Sequence, residues 1–197
     1  MTLTLVVMAA LAAAESPAQV VKNADSAAQE VMKSKDASVA KLAAKADEFI
    51  DFGELAKRAL GEEWAKLKKP QQEDFSSTMK GLLRASYAQK AIGDGRGDAK
   101  IEYGKEEIAG AEATVPSTIE VKKDKFSIVY KLFKADAKSG WKIFDVITDE
   151  VSLVQTYNDQ FRTTIAKKGF DGLLIALKAR RDQLEKAPAP TAVPTVK

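Results

Sequence analysis

Neither cysteine nor histidine occurs among the 197 residues. That excludes a disulfide, a thiolate nucleophile and a Cys/His metal site. It also removes the commonest general base near neutral pH, leaving carboxylate or lysine chemistry as the open catalytic routes. Missing cysteine does not fix a compartment, because many exported proteins need no disulfide. An excess of charge of one sign is lacking too. The net charge is only +3, and no Lys/Arg run with interleaved aromatics is present, so no nucleic-acid partner is expected. No apolar run reaches the roughly 20 residues that a bilayer-spanning helix needs.

What is present bounds the rest. A hydrophobic fraction of 45% and a charged fraction of 30% exclude a chain disordered throughout, and the length suits one domain with a sizeable core. The run Leu3–Ala14 is uncharged, apolar and ends in small residues. It fits the apolar core of a secretory signal, residues 1–14, with Ala12 and Ala14 placed for cleavage before Glu15. No Lys or Arg precedes it, so the amino-terminal part of such a signal is incomplete. The expected location is therefore outside the cytoplasm.

Helical periodicity follows. Ser16-Pro17 reads as an N-cap with proline at the first helical position, and Val20, Val21, Ala24, Ala28, Val31 and Met32 share one side. A second helix is expected from near Asp36 or Ser38. Phe52, Leu55, Ala56, Ala59, Leu60 and Trp64 recur at three- and four-residue steps. Pro70 opens another helix with the stripe Phe75, Met79, Leu82, Leu83 and Tyr87.

The period changes at Gly93-Asp94-Gly95-Arg96-Gly97-Asp98, a breaker cluster. It is neither a Walker loop nor a dinucleotide fingerprint, and the calcium-loop pattern is absent; a solvated loop is expected. Beyond it, Val115, Ser117, Ile119 and Val121 alternate with Pro116, Thr118, Glu120 and Lys122. After a turn at Lys122–Lys125, Phe126, Ile128, Tyr130 and Leu132 alternate in the same way, and a third strand starts at Trp141. Short strands with tight connections predict an antiparallel meander, with an earlier edge strand near Lys100–Tyr103. Val154, Tyr157, Phe161 and Ile165 then form a helical stripe ended by Lys167-Lys168-Gly169, and Phe170–Leu184 forms a last helix. From Ala187 to Lys197 proline recurs without periodicity, predicting an extended, disordered tail. The class is α+β: helices, a small antiparallel sheet, then helices folded back on it.

Two blocks carry a family resemblance. One is Phe49-Ile50-Asp51-Phe52, Leu55–Gly61 with Trp64, and Pro70-Gln71-Gln72 with Phe75, Leu82-Leu83 and Tyr87. The other is Gly140–Ile147, Ser152–Phe161 and Lys168–Leu174. In order and spacing they resemble the MlaC family, the periplasmic phospholipid-binding proteins also known as toluene-tolerance proteins. The likeness runs from about Ser16 to Leu184, within a domain set at residues 16–186. The chain departs at Asp149-Glu150-Val151-Ser152, where the family often reads Glu-Gly-Val-Ser, and at Asn158, where the family often has a basic residue.

The resemblance implies an NTF2/cystatin-like fold with an apolar pocket between sheet and helices, and a carrier of phospholipid in the periplasm. It implies an inner-membrane MCE-type ABC transporter complex and an outer-membrane lipoprotein complex as partners, and outer-membrane lipid asymmetry as the purpose. It implies no catalysis and no cofactor, the bound phospholipid being cargo. Candidate pocket residues, taken from the stripes and the meander, are Leu60, Trp64, Met79, Leu83, Tyr87, Ile119, Ile128, Tyr130, Ile143, Ile147, Val154 and Phe161. Each also fits ordinary core. Lys131, Lys142 and Arg162 are candidates for an acidic head group or an acidic partner. Two other readings stay open: a small exported α+β enzyme with convergent polar groups, and an exported interaction module whose stripes form only core.

Overall fold

Caps set the helix boundaries in the computed structural model, which describes residues 15–93, 98–121, 124–136 and 139–186, without the side chains of 88–93. The expected export signal at 1–14, residues 94–97 of the glycine cluster, Lys122-Lys123, Ala137-Lys138 and the tail from 187 lie outside the described residues. Helix α1 spans Pro17–Lys33, and the Ser16 side chain accepts from the Gln19 amide. Helix α2 spans Val39–Phe49 with Ser38 as its cap. Helix α3 spans Phe52–Leu60 and begins at Asp51, whose side chain accepts from the Glu54 amide at 2.9 Å. Gly61 ends α3 at φ 63, in the left-handed region where a Cβ is disfavoured, and a 3₁₀ turn covers Gly61–Lys66. Helix α4 runs over Lys69–Gly93.

Six strands follow: β1 Lys100–Tyr103, β2 Glu107–Ala109, β3 Glu112–Val121, β4 Asp124–Phe133, β5 Lys142–Thr148 and β6 Val151–Ser152. They form one antiparallel sheet in the order β1-β3-β4-β5-β6, and β2 also pairs with β3. Pro116 sits inside β3, where its missing N–H would weaken a ladder. Its carbonyl accepts from Gly104 at 2.8 Å, so this residue faces the break between β1 and β2 rather than β4. Helix α5 runs over Leu153–Lys186, broken in backbone angle at Gly169 (φ 68). The glycine stop predicted from Lys167-Lys168-Gly169 is thus present as a kink between two helical segments.

Packing divides into two clusters. In one, α3, α4 and α5 bury Leu60, Phe75, Met79, Leu83 and Phe161 almost completely. Each such side chain contributes roughly 1.5–3 kcal/mol through removal from water. Phe75 meets Phe161 edge-on at 5.7 Å and Phe170 at 6.0 Å. In the other, Val20 and Val21 of α1 pack on the β3–β5 face carrying Val115, Tyr130, Leu132 and Ile143. Ile50 packs against both clusters and forms a bridge to Ile143 at the free edge of β5. Two polar clamps complete the frame. Arg84 and Lys80 of α4 both pair with Asp47 of α2. Arg58 of α3 lies over the Phe144 ring at 3.7 Å while bonding Glu54 and Glu112, each at 2.8 Å.

Candidate functional site

The register of β4 and β5 decides which candidate residues share a surface. Lys131 faces Asp145, yet the next residue, Leu132, faces Ile143, so β5 carries an extra residue at Phe144. This bulge reverses the alternation of β5. Ile143 stands with Leu132 on the face under α1, whereas Ile147 pairs with Val129 on the opposite face. Sequence spacing alone puts residues 143 and 147 on one side; the bulge separates them.

The twelve candidates therefore fall into groups. Leu60, Met79, Leu83 and Phe161 lie deep in the helical cluster, and Trp64 and Val154 are partly buried at its rim. Ile128, Tyr130 and Ile143 lie in the sheet cluster, and Ile119 packs against it from the side. Ile147 is partly buried and belongs to neither cluster. Tyr87 is 46% exposed. The cations Lys131, Lys142 and Arg162 are dispersed: Lys131 is on β4, Lys142 donates to the Glu48 carbonyl at 2.5 Å, and Arg162 is exposed on α5.

Sequence reading passed over the polar centre of the sheet face. Asp25 projects from the apolar stripe of α1, one helical turn after Val21. Tyr130 donates to one of its oxygens at 2.9 Å and Tyr103 to the other at 3.0 Å. Burial raises the Asp25 carboxyl above its usual value, and the two tyrosine hydrogen bonds oppose that shift. Burial, reinforced by Asp25, raises both phenols. A carboxylate four residues after a buried valine was the available signal. Asp145 was passed over too. It is 3% exposed and accepts from the Ser152 hydroxyl at 2.7 Å and the Val154 amide at 3.0 Å, capping α5 from the sheet.

The two departures from the family pattern have local explanations. Asn158 donates to the Ala59 carbonyl at 3.1 Å and so satisfies a carbonyl at the end of α3, a place that also suits a cation. Asp149 and Glu150 both adopt positive φ, 46° and 69°, in the β5–β6 turn, a geometry that glycine meets without strain.

Neither cluster sets out a catalytic constellation. The carboxylates nearest the apolar faces, Asp25 and Asp145, are each taken up by structural donors. Among the described residues no group of three or more Asp or Glu could hold a metal ion. The same residues contain no helix long and apolar enough to cross a membrane. What the two faces offer chemically is apolar contact, with the Asp25–Tyr103–Tyr130 group as the polar centre of the sheet face.

Fold and clusters together define an α+β domain with two apolar clusters. The chain belongs to the MlaC family: the family model described as MlaC protein matches residues 15–179. Seven chains of solved structures also match. One is a phospholipid-binding protein from Ralstonia solanacearum, solved in complex with a phospholipid. It is 25% identical, has a TM-score of 0.75, and the match covers 85% of this chain and 97% of that one. No curated protein matches. The α+β fold expected from the sequence, with its antiparallel sheet, is the fold of that phospholipid-binding protein.

Proposed function

We propose that this protein binds phospholipid and carries it through the periplasm, between an inner-membrane MCE-type ABC transporter complex and an outer-membrane lipoprotein complex, so maintaining outer-membrane lipid asymmetry. The observation that carries this reading is the likeness, over 97% of its length, to a protein solved with phospholipid bound. Family membership supports it, as does the apolar character of both clusters. Each methylene of an acyl chain moved from water onto such a surface contributes about 0.8 kcal/mol, so a few exposed apolar rows hold a lipid without covalent chemistry. Release then needs a change in the protein or a competing apolar surface on a partner. No catalytic residue enters this scheme, and the cargo is the only non-protein component.

Native mass spectrometry of protein purified from a Gram-negative periplasm tests the proposal. The expected result is a population whose added mass matches phospholipid, together with uptake of labelled phospholipid from vesicles. Uniformly unliganded protein that takes up no label would refute it.

A further inference from the structure

Helix α1 is fastened to the sheet differently at its two ends. Near its start Val20 and Val21 are buried, 5% and 0% exposed. Beyond Asp25 the helix buries no side chain: Ala28, Val31 and Met32 stay only partly covered. The sheet row facing this half, Ile101–Ile119–Phe126, is equally half-covered. What holds the second half to the sheet is polar, while α1 also packs along α2. Tyr103 and Tyr130 grip Asp25, Gln29 Nε2 donates to the Ala99 carbonyl at 2.9 Å, and Lys33 pairs with Asp98 at 3.5 Å. The last pair is largely solvent-exposed and so contributes little. With few buried contacts and several replaceable hydrogen bonds, this half has the makings of a low-stability unit.

We propose that α1 is a strap that rocks on Val20 and Val21, lifting its second half from the Ile101–Ile119–Phe126 row to admit or release an acyl chain. The Asp25–Tyr103–Tyr130 group is its clasp. The inference rests on the phospholipid-carrier reading and adds a moving part to it. An apolar row that is covered by an apolar stripe, yet not sealed by it, exchanges one apolar partner for another at little cost. The hydrogen bonds of the clasp set how often that exchange begins.

A chain without cysteine permits a clean test. Lys33→Cys and Asp98→Cys, joined by a reducible bismaleimide, tie the strap to the sheet. Transfer of labelled phospholipid between phosphatidylethanolamine–phosphatidylglycerol vesicles is then measured. The link should slow transfer at least tenfold, and reduction should restore it. Tyr103→Phe, which keeps the ring and removes one donor from Asp25, should speed transfer about tenfold, the effect of losing one charge-assisted hydrogen bond. Transfer at the parent rate with the link in place overturns the strap and leaves the carrier reading standing. Slowing by the link with no effect of Tyr103→Phe overturns the clasp alone. A parent protein that transfers no lipid overturns the carrier reading and the strap with it.

Discussion

The helical cluster and the sheet cluster have the same kinds of apolar residue and are built to different ends. Around Phe75 the helices close on themselves: Leu60, Met79 and Leu83 are at most 2% exposed and three aromatic rings interlock. On the sheet, Val115 and Leu132 are fully buried at one end, while Ile119 and Phe126 at the other stay partly open beneath a polar-fastened helix. Burial that is complete resists change. Burial that is incomplete, and secured by hydrogen bonds, can be traded. The first region is a foundation, and the second is where the proposed strap would exchange one apolar partner for another.

Substitutions in each region should separate these roles. Phe75→Ala leaves a cavity between α4 and α5 and should lower stability by about 4 kcal/mol in urea unfolding, without speeding lipid transfer. Faster transfer in that variant would break the contrast. Arg58 links the regions, so Arg58→Ala should cost about 2 kcal/mol, with Arg58→Lys recovering less than half because lysine cannot both stack and bridge two carboxylates. If the regions depend on this link, the alanine variant unfolds in two steps by fluorescence and circular dichroism. Thr78 is fully buried and its hydroxyl has no partner among the described residues, so Thr78→Val should raise stability by about 1 kcal/mol.

The smallest effects are in pH dependence. Asp25 faces Tyr103 of β1 and Tyr130 of β4, and Lys22 of α1 lies over the Tyr103 ring. Its folded carboxyl is raised above 3.8, so the folded state holds that proton more tightly than the unfolded state does. The stability this supplies is full below the ordinary value and is lost as pH rises through the raised one. Asp25→Asn imitates the neutral carboxyl. It should be at least as stable as the parent at neutral pH, with the gap closing on acidification; a gap that widens on acidification counts against a desolvated carboxylate. The four tyrosines are all raised, Tyr157 to about 12 through burial and Tyr87, with Arg180 opposing. Tyrosinate absorbance of the folded protein should therefore appear only above the ordinary phenol value of 10.0.

Much of this fold was legible because its boundaries are local. Ser16, Ser38 and Asp51 cap their helices with their own side chains, and the alternation over Ile128–Leu132 marks a strand buried on one face. The missed parts depend on distant partners. β2 and β6 are three and two residues long, too short for any periodic signal, and the Ile50 bridge needs β5 beside it. The bulge opposite Lys131 and Leu132 also left no mark in the pattern of β5. It matters most for the site, because it moves Ile147 away from Ile143. Candidate residues drawn from single stripes could show which side of an element is apolar, but not that the apolar sides gather into two clusters.

Asp145 has a consequence for where α5 begins. The first turn of α5 is completed by a carboxylate on β5, supplied through Ser152 and the Val154 amide. An isolated peptide of this helix would lack that cap, and nucleation is the slow, unfavourable part of helix formation. Helix α5 is thus templated by the meander. The start of α5 at Leu153 therefore has its full set of hydrogen bonds only with β5 in place beside it.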